Sequence, residues 1–224
     1  GKQYKNVDFS KVNEIVKLRN INDVAMMVEL ENKYNIISYY DEVRRLSKVQ
    51  WEDLIYNSRI VESLLFDEAI KENIVLPNKQ RSFGENEEVS FQGAIRDIEK
   101  PGLYKDIGKF DLTSAYPSMI INFNLDSTNI RAKANENAIK IDNLYFEQNE
   151  NTLLPRIIKR ILIAKDRFKQ LKKNNPDNKD ISIKYEAIKT IANSCFGVCG
   201  NQYFRLYNPE IASSITYLVR DLLT

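Results

Sequence analysis

The sequence predicts an α+β fold in which helices predominate and strands are few. Apolar residues recur at helical spacing over most of the chain, whereas strand character is confined to residues 104–110 and 139–146. Two long helical segments, 153–173 and 179–195, are separated by the turn residues 174–177, which predicts an antiparallel αα-hairpin. At 224 residues, the chain is long enough to form one large domain or two small ones.

Further helices are predicted before residue 80. Residues 8–32 carry two apolar stripes with an expected break near residues 20–23, where Asn22 or Asp23 would cap the second helix. The next helices are expected at 36–48 and 50–73, the latter with Glu62 and Asp67 exposed. Pro77 ends this part of the chain, and the polar, aperiodic residues 81–90 are predicted to be a linker.

Composition excludes several classes of chemistry. The chain has no histidine, so Ser-His-Asp and Cys-His catalysis and His-ligated zinc are excluded. Its net charge is only +2, so any affinity for nucleic acid must come from local patches. We find no secretory signal and no apolar run long enough to span a membrane, and we expect a cytoplasmic protein. Cys195 and Cys199 lack the further ligands of a zinc site and are expected to be small buried hydrophobes.

Residues 104–118 indicate a site that holds a cation beside an anion. The predicted strand 104–110 ends on Asp111, a carboxylate suited to a hard divalent cation. Thr113, Ser114 and Ala115 then offer backbone N–H groups in front of a short helix, predicted to begin at Pro117 and to span 117–123. A strand, an aspartate, a turn and a helix also follow one another in many proteins without any metal.

The predicted hairpin is strongly basic along its first helix. Residues 156–173 contain eight cations and one anion, Asp166, and like charges at this spacing repel one another unless an anion compensates them. The cations are Arg156, Lys159, Arg160, Lys165, Arg167, Lys169, Lys172 and Lys173. On the second helix one face carries Lys189, Asn193, Phe196 and either Gly197 or Gly200. Such a stripe would suit a flat ligand that carries phosphate, although a solvated surface hairpin explains the charge equally well.

Taken together, these stretches resemble the family B DNA polymerases. Residues 111–118, DLTSAYPS, resemble motif A of that family, and residues 189–197, KTIANSCFG, resemble its motif B. The basic hairpin between them matches the family's fingers. Residues 91–94, FQGA, are similar to the element that joins the exonuclease and polymerase domains, although a β-bulge also explains Gly93. Residues 20–24, NINDV, resemble the third exonuclease motif, and residues 211–216 look like the palm helix that follows the fingers.

The resemblance implies a partial polymerase right hand in four parts. Residues 1–80 would be a helical remnant of a 3′-5′ exonuclease-like domain, and residues 81–130 the first part of the palm with motif A. Residues 131–205 would form the fingers hairpin with motif B, and residues 206–224 would return to the palm.

The resemblance also assigns roles to individual residues. Asp111 would be the catalytic carboxylate that holds two Mg²⁺ ions, assisted by the backbone carbonyl of Leu112. The implied nucleotide-binding residues are Ser114, Ala115, Tyr116, Lys165, Lys169, Lys189 and Asn193, with Tyr116 beneath the deoxyribose. The implied contacts to template and base pair are Gly93, Ala94, Phe196 and Gly197, and Asp23 would be the exonuclease remnant.

Four residues depart from the family pattern. Ala115 replaces leucine, and Phe196 replaces tyrosine and so loses a hydroxyl contact. Lys165 replaces arginine and offers a point charge instead of a bidentate fork. Arg19 replaces the tyrosine of the exonuclease motif, which argues against proofreading by Asp23.

The activity implied is addition of dNTPs to a primer 3′ end by two-metal phosphoryl transfer. The Y-G-D-T-D motif, which carries the second catalytic aspartate, is absent, so we expect the isolated chain not to polymerise. The implied partners are a DNA primer–template, a dNTP, a second polypeptide carrying that motif and the thumb, and a sliding clamp. The expected location is the cytoplasm, that of the host for a viral protein, in association with the nucleoid.

Two alternatives remain open at this point. A catalytically inactive nucleic-acid-binding or scaffold subunit of a replication complex would keep the fold without the chemistry. A protein-primed polymerase of the same family is disfavoured, because residues 124–152 are too few for the insertion that such enzymes carry between motifs A and B.

Overall fold

The computed structural model describes residues 8–79, 93, 100–148 and 152–223. The fold is α+β and mostly helical, as predicted. Its helices are α1 (Glu14–Tyr34), α2 (Ile36–Ser47), α3 (Asn57–Lys71), α4 (Ala115–Asn122), α5 (Leu153–Asn174), α6 (Lys179–Gly197) and α7 (Pro209–Leu223). Its strands are β1 (Ile130–Arg131), β2 (Ala138–Ile141) and β3 (Leu144–Glu147), and a short 3₁₀ turn covers Trp51–Asp53.

Helix α1 is continuous through residues 20–23, so the predicted break there is wrong. The helix is capped by Asn13, whose side chain accepts a hydrogen bond from the Val16 N–H at 2.9 Å. Neither Asn22 nor Asp23 caps a second helix. Both lie inside α1, and the Asp23 carboxylate is 3.6 Å from the Arg19 guanidinium one turn earlier. An asparagine-rich stretch can therefore remain helical when such a pair supports it.

The predicted helix 36–48 is confirmed as α2, whereas the predicted helix 50–73 is shorter. The 3₁₀ turn occupies its first residues, and α3 begins at Asn57. Glu62 was expected to be exposed but is buried, with its carboxylate accepting a 2.7 Å hydrogen bond from Arg205 Nε. Asp67 is half-buried. The burial of Glu62 depends on a partner that lies 143 residues away, which helical periodicity cannot reveal.

The strand predicted at 104–110 is not formed within the described residues. This segment bends at Lys105 and Asp106 and pairs with none of the described strands, and Leu103 and Phe110 are 95% and 97% exposed. A strand needs a neighbour for its backbone groups, and the apolar residues of one segment alone cannot supply one.

Strand character at 139–146 is confirmed by the antiparallel pair β2–β3, in which Ile139 lies opposite Phe146. Strand β1, which was not predicted, pairs with the other edge of β3.

The basic hairpin is confirmed as α5 and α6, and α7 agrees with the predicted helix 209–223. Their apolar faces form the main core with α3, α4 and the sheet, where Leu65, Ile120, Phe146 and Ile215 are each fully buried. A second core joins α2 to α6 through Val43 and Ala187, among others. No described helix has the combination of length and apolar character required to cross a bilayer.

Buried polar groups fix the start of α5. Asp126 is fully buried, and its Oδ2 accepts a hydrogen bond from the Leu154 N–H at 2.9 Å, in the first turn of α5. Its Oδ1 accepts from the Thr128 N–H and hydroxyl, both at 3.0 Å. Asn124 accepts from the Thr152 hydroxyl at 3.1 Å. A carboxylate at a helix N-terminus satisfies free N–H groups and complements the helix dipole, so these contacts set the position of the basic helix.

The outer side of α5 is tied to α3 by ion pairs. Arg156 Nη1 lies 2.9 Å from Glu72 Oε1, and Arg160 pairs with the buried carboxylate of Glu68. Part of the expected anionic compensation of α5 is thus supplied by the protein itself.

Candidate functional site

The turn before α4 presents backbone groups next to an exposed carboxylate. Helix α4 begins at Ala115, two residues earlier than predicted, with Ser114 as its N-cap in the left-handed region at φ 57°. The Ser118 N–H donates to the Ser114 carbonyl at 2.9 Å, which closes the first helical turn. Asp111 and Leu112 precede this turn and are exposed. Asp111 thus precedes the N-cap of α4 by three residues and is open to solvent.

Lys165 of α5 reaches this turn from the hairpin. Its Nζ donates a hydrogen bond to Ser114 Oγ, and the residue is only 9% exposed. Within the described part of the chain the ammonium has no ion pair. Burying a charge without a counter-charge is costly, so the position favours an anionic ligand that would complete its coordination. Two predicted nucleotide-binding residues, 51 positions apart in sequence, thus lie in direct contact.

Tyr116 and Phe196 connect α4 to α6. Their rings are stacked, with centroids 4.0 Å apart and an interplanar angle of 6°. Both side chains are half-buried and pack against the main core. The ring predicted to lie beneath a sugar and the ring predicted to face a base pair are therefore neighbours, and each limits the rotation of the other.

The remaining predicted residues of α5 and α6 line an open face. Lys169, Lys189, Asn193 and Gly197 are all exposed. Lys189 Nζ lies 3.6 Å from Glu186 Oε2, one turn earlier on α6. A Cβ built at Gly197 would meet no atom within 4 Å, so nothing in the described structure crowds this position.

Three of the predicted residues lie outside this group. Asp23 is on α1, where it pairs with Arg19. Gly93 accepts a hydrogen bond from Arg220 of α7 at 3.0 Å through its carbonyl, which ties this point of the chain to α7. Ala94 lies outside the described residues.

The described residues do not form a complete metal site. They contain no group of three or more cysteine, aspartate or glutamate side chains able to hold an ion. Asp111 therefore offers one carboxylate where Mg²⁺ requires a full oxygen shell.

The two cysteines are buried in the main core, as expected of small hydrophobes. Burial raises the thiol pKa of Cys195 to about 12 and that of Cys199 further still, so both thiols stay protonated at neutral pH.

Sequence reasoning missed two polar residues near this site. Asp126, which holds the start of α5, lies in a stretch that reads only as irregular and polar. Glu186 lies one helical turn before Lys189 on the predicted ligand-facing stripe, so its spacing could have identified it. Its carboxylate contacts Lys172 at 3.0 Å as well as Lys189.

Comparison with known proteins gives consistent matches. The family model described as DNA polymerase family B matches residues 49–224. The DNA polymerase delta catalytic subunit of Dictyostelium discoideum is 29% identical over 220 residues, covering 91% of this chain and 20% of that protein. The DNA polymerase alpha catalytic subunit of Mus musculus is 28% identical over 196 residues, covering 72% of this chain and 13% of that protein. The chain thus spans a fifth or less of the length of these relatives.

A solved structure shares the fold. The family B DNA polymerase from the hyperthermophilic archaeon Pyrobaculum calidifontis superposes with a TM-score of 0.73 at 21% identity. The superposition covers 93% of this chain and 28% of that one. At this identity the likeness concerns the arrangement of helices and strands.

Proposed function

Because this chain belongs to DNA polymerase family B, we propose that it forms the nucleotide-binding part of a DNA-dependent DNA polymerase. The complete enzyme would add dNTPs to the 3′ end of a primer on a DNA template by phosphoryl transfer. The observation that carries the proposal is the buried ammonium of Lys165, which contacts the Ser114 turn and has no ion pair among the described residues. It brings a residue of the basic hairpin onto the N-terminus of α4, where a triphosphate would be stabilised by both.

The proposed domain organisation follows the four segments predicted from the sequence. Residues 1–80 form the helical remnant of an exonuclease-like domain, and residues 81–130 form the first part of the palm. Residues 131–205 form the fingers and residues 206–224 return to the palm. In support, α5 and α6 form an antiparallel hairpin, and α7 packs against α4 in the main core.

Each residue of the proposed site acts by position and charge. Lys165, Lys169 and Lys189 neutralise the triphosphate, and the N–H groups near Ser114 and Ala115 hold its outer phosphates. The ring of Tyr116, held by its stack with Phe196, lies beneath the deoxyribose and excludes a 2′-hydroxyl. Asn193 and Gly197 line the new base pair together with Phe196, and Gly93 and Ala94 face the template.

Asp111 and the Leu112 carbonyl are proposed to hold two Mg²⁺ ions together with an aspartate outside these residues. In the complete enzyme such ions would polarise the α-phosphate and stabilise the charge on the departing pyrophosphate. We propose that a segment or second polypeptide with a Y-G-D-T-D-like motif and a thumb supplies the remaining carboxylate, which the described residues do not offer. A sliding clamp is a further proposed partner.

The test is primer extension by the intact enzyme with Asp111→Asn. We expect the rate of primer extension to fall by more than about 100-fold. This exceeds the 10- to 100-fold effect typical of residues that support metal ligands without binding the metal. Asp106→Asn is the matched control, because Asp106 is an exposed aspartate of the same segment, and asparagine tolerates its positive φ of 58°. Full activity of Asp111→Asn, with DNA binding retained, would remove Asp111 from the catalytic role.

A further inference from the structure

We propose that the outer end of the α5–α6 hairpin carries a second phosphate site, which receives the triphosphate of an incoming nucleotide before it reaches Lys165. The proposal rests on the proposed function and extends its nucleotide path. The site is a shallow concave surface lined by Lys169, Gln170, Lys172, Lys173 and Pro176. Three of these five side chains are ammonium groups, which fits a compact polyanion.

The site continues the cationic stripe of α5 outward. Lys165, Lys169 and Lys173 are spaced by four residues, so they lie on one face of the helix, roughly 6 Å apart. Lys165 is buried at the Ser114 turn, whereas Lys169 and Lys173 are exposed. A phosphate group that moves from the hairpin tip to the Ser114 turn can thus stay close to a lysine ammonium throughout.

The charges of the site are only partly balanced. Among the residues that the structure describes, Lys169 and Lys173 have no ion pair. Like charges four residues apart repel each other by a few tenths of a kcal/mol. The C-terminal dipole of α5 offsets part of this repulsion, but it acts on every cation of the last turn alike. A bound triphosphate would remove the repulsion and neutralise both lysines.

The Glu186 carboxylate is the counter-ion that a bound phosphate would replace. It holds Lys172 at 3.0 Å, and Lys172 also lies 4.9 Å from the centre of the Tyr185 ring. The same carboxylate is 3.6 Å from Lys189, a proposed triphosphate ligand. Glu186 therefore lies between the outer site and the inner one and competes with an anion at both. Removing its charge should strengthen anion binding, whereas removing a lysine should weaken it.

The test uses inorganic triphosphate as the probe and measures its affinity for the intact protein by isothermal titration calorimetry at low ionic strength without metal. We expect Lys173→Gln to weaken binding about two- to fivefold and Glu186→Gln to strengthen it about twofold, as is usual for single exposed charges. Lys159→Gln is the control, because Lys159 is an exposed lysine of the same helix about 21 Å from Lys173 along the helix axis. All three positions are on the surface, so folding should be retained, and circular dichroism verifies this.

A fourth variant separates this proposal from the proposed function. Lys189→Gln tests the inner site and should weaken triphosphate binding. If it does so while Lys173→Gln and Glu186→Gln behave like the Lys159 control, the outer site is refuted and the proposed function stands. If Lys189→Gln also has no effect, the inner site fails as well. If Lys173→Gln weakens the binding of a single-stranded oligonucleotide but not of triphosphate, the outer site belongs to nucleic acid and the proposal is overturned.

Discussion

Asp126→Ala should destabilise the protein more than most single substitutions, because it removes the support of α5. The carboxylate is fully buried and accepts hydrogen bonds from the Leu154 N–H and from the N–H and hydroxyl of Thr128. Leu154 is itself buried at 2% exposure, so its N–H cannot turn to water once the acceptor is gone. Thr128 is exposed and can be rehydrated.

The magnitude follows from these contacts. A buried N–H left without an acceptor costs about 1–3 kcal/mol. Loss of the negative charge at the start of α5 costs about a further 0.3–1 kcal/mol. The variant no longer has to bury a charged carboxylate, and the desolvation cost avoided in this way offsets part of the loss. We therefore expect a net loss of about 1–3 kcal/mol, a substantial share of the 5–15 kcal/mol typical of a folded domain.

Urea denaturation followed by circular dichroism at 222 nm measures this loss. Glu136→Ala is the control, since Glu136 is an exposed carboxylate nearby, and its removal should change stability by no more than about 0.5 kcal/mol. A loss below about 1 kcal/mol for Asp126→Ala, or one equal to that of the control, would refute the view that this carboxylate anchors α5.

Two further predictions follow from shifted pKa values. Burial raises the thiol pKa of Cys195 to about 12 and that of Cys199 further. The native protein should therefore not react with an aromatic disulfide at pH 8, whereas both thiols should react in urea. Rapid labelling of the native protein would contradict this. Hydrogen bonds from Lys48 and Lys71 lower the pKa of Asp67 from 3.8 to about 2, so its stabilising effect should be complete above about pH 4 and be lost as the pH falls towards 2. Between pH 5 and pH 2.5 the free energy of unfolding should thus fall less in Asp67→Asn than in the unmodified protein. An equal decrease in both proteins would show that Asp67 does not contribute to the pH dependence of stability.

Local patterns predicted most of the helical framework correctly. Helices α2, α5, α6 and α7 follow from apolar periodicity, and the turn at residues 174–177 follows from its asparagine and proline residues. The motifs also brought together residues that the fold places in contact, such as Ser114 with Lys165 and Tyr116 with Phe196. Both successes depend on local sequence. The apolar periodicity of a helix is visible in its own residues, and each motif keeps its residues at a fixed spacing along the chain.

The errors arose where structure depends on distant partners. Residues 104–110 have the aromatic and β-branched residues of a strand, but none of the described strands lies beside them. Glu62 has the spacing of an exposed residue, yet a distant arginine buries it. The buried role of Asp126 depends on the N-terminus of α5, 28 positions later. No pattern confined to one segment carries such information.

The contact between Glu62 and Arg205 also has a consequence for biosynthesis. The two residues are 143 positions apart, and ribosomes add about 5–20 residues per second, so Glu62 waits roughly 7–30 s for its partner. For most of that interval Val61 and Leu65, which are fully buried in the finished fold, lack the α5 and α6 sides of their core. The nascent chain therefore presents an apolar helix long before it can fold. Slow elongation should increase its aggregation, and chaperones that bind extended apolar segments should find their substrate at α3.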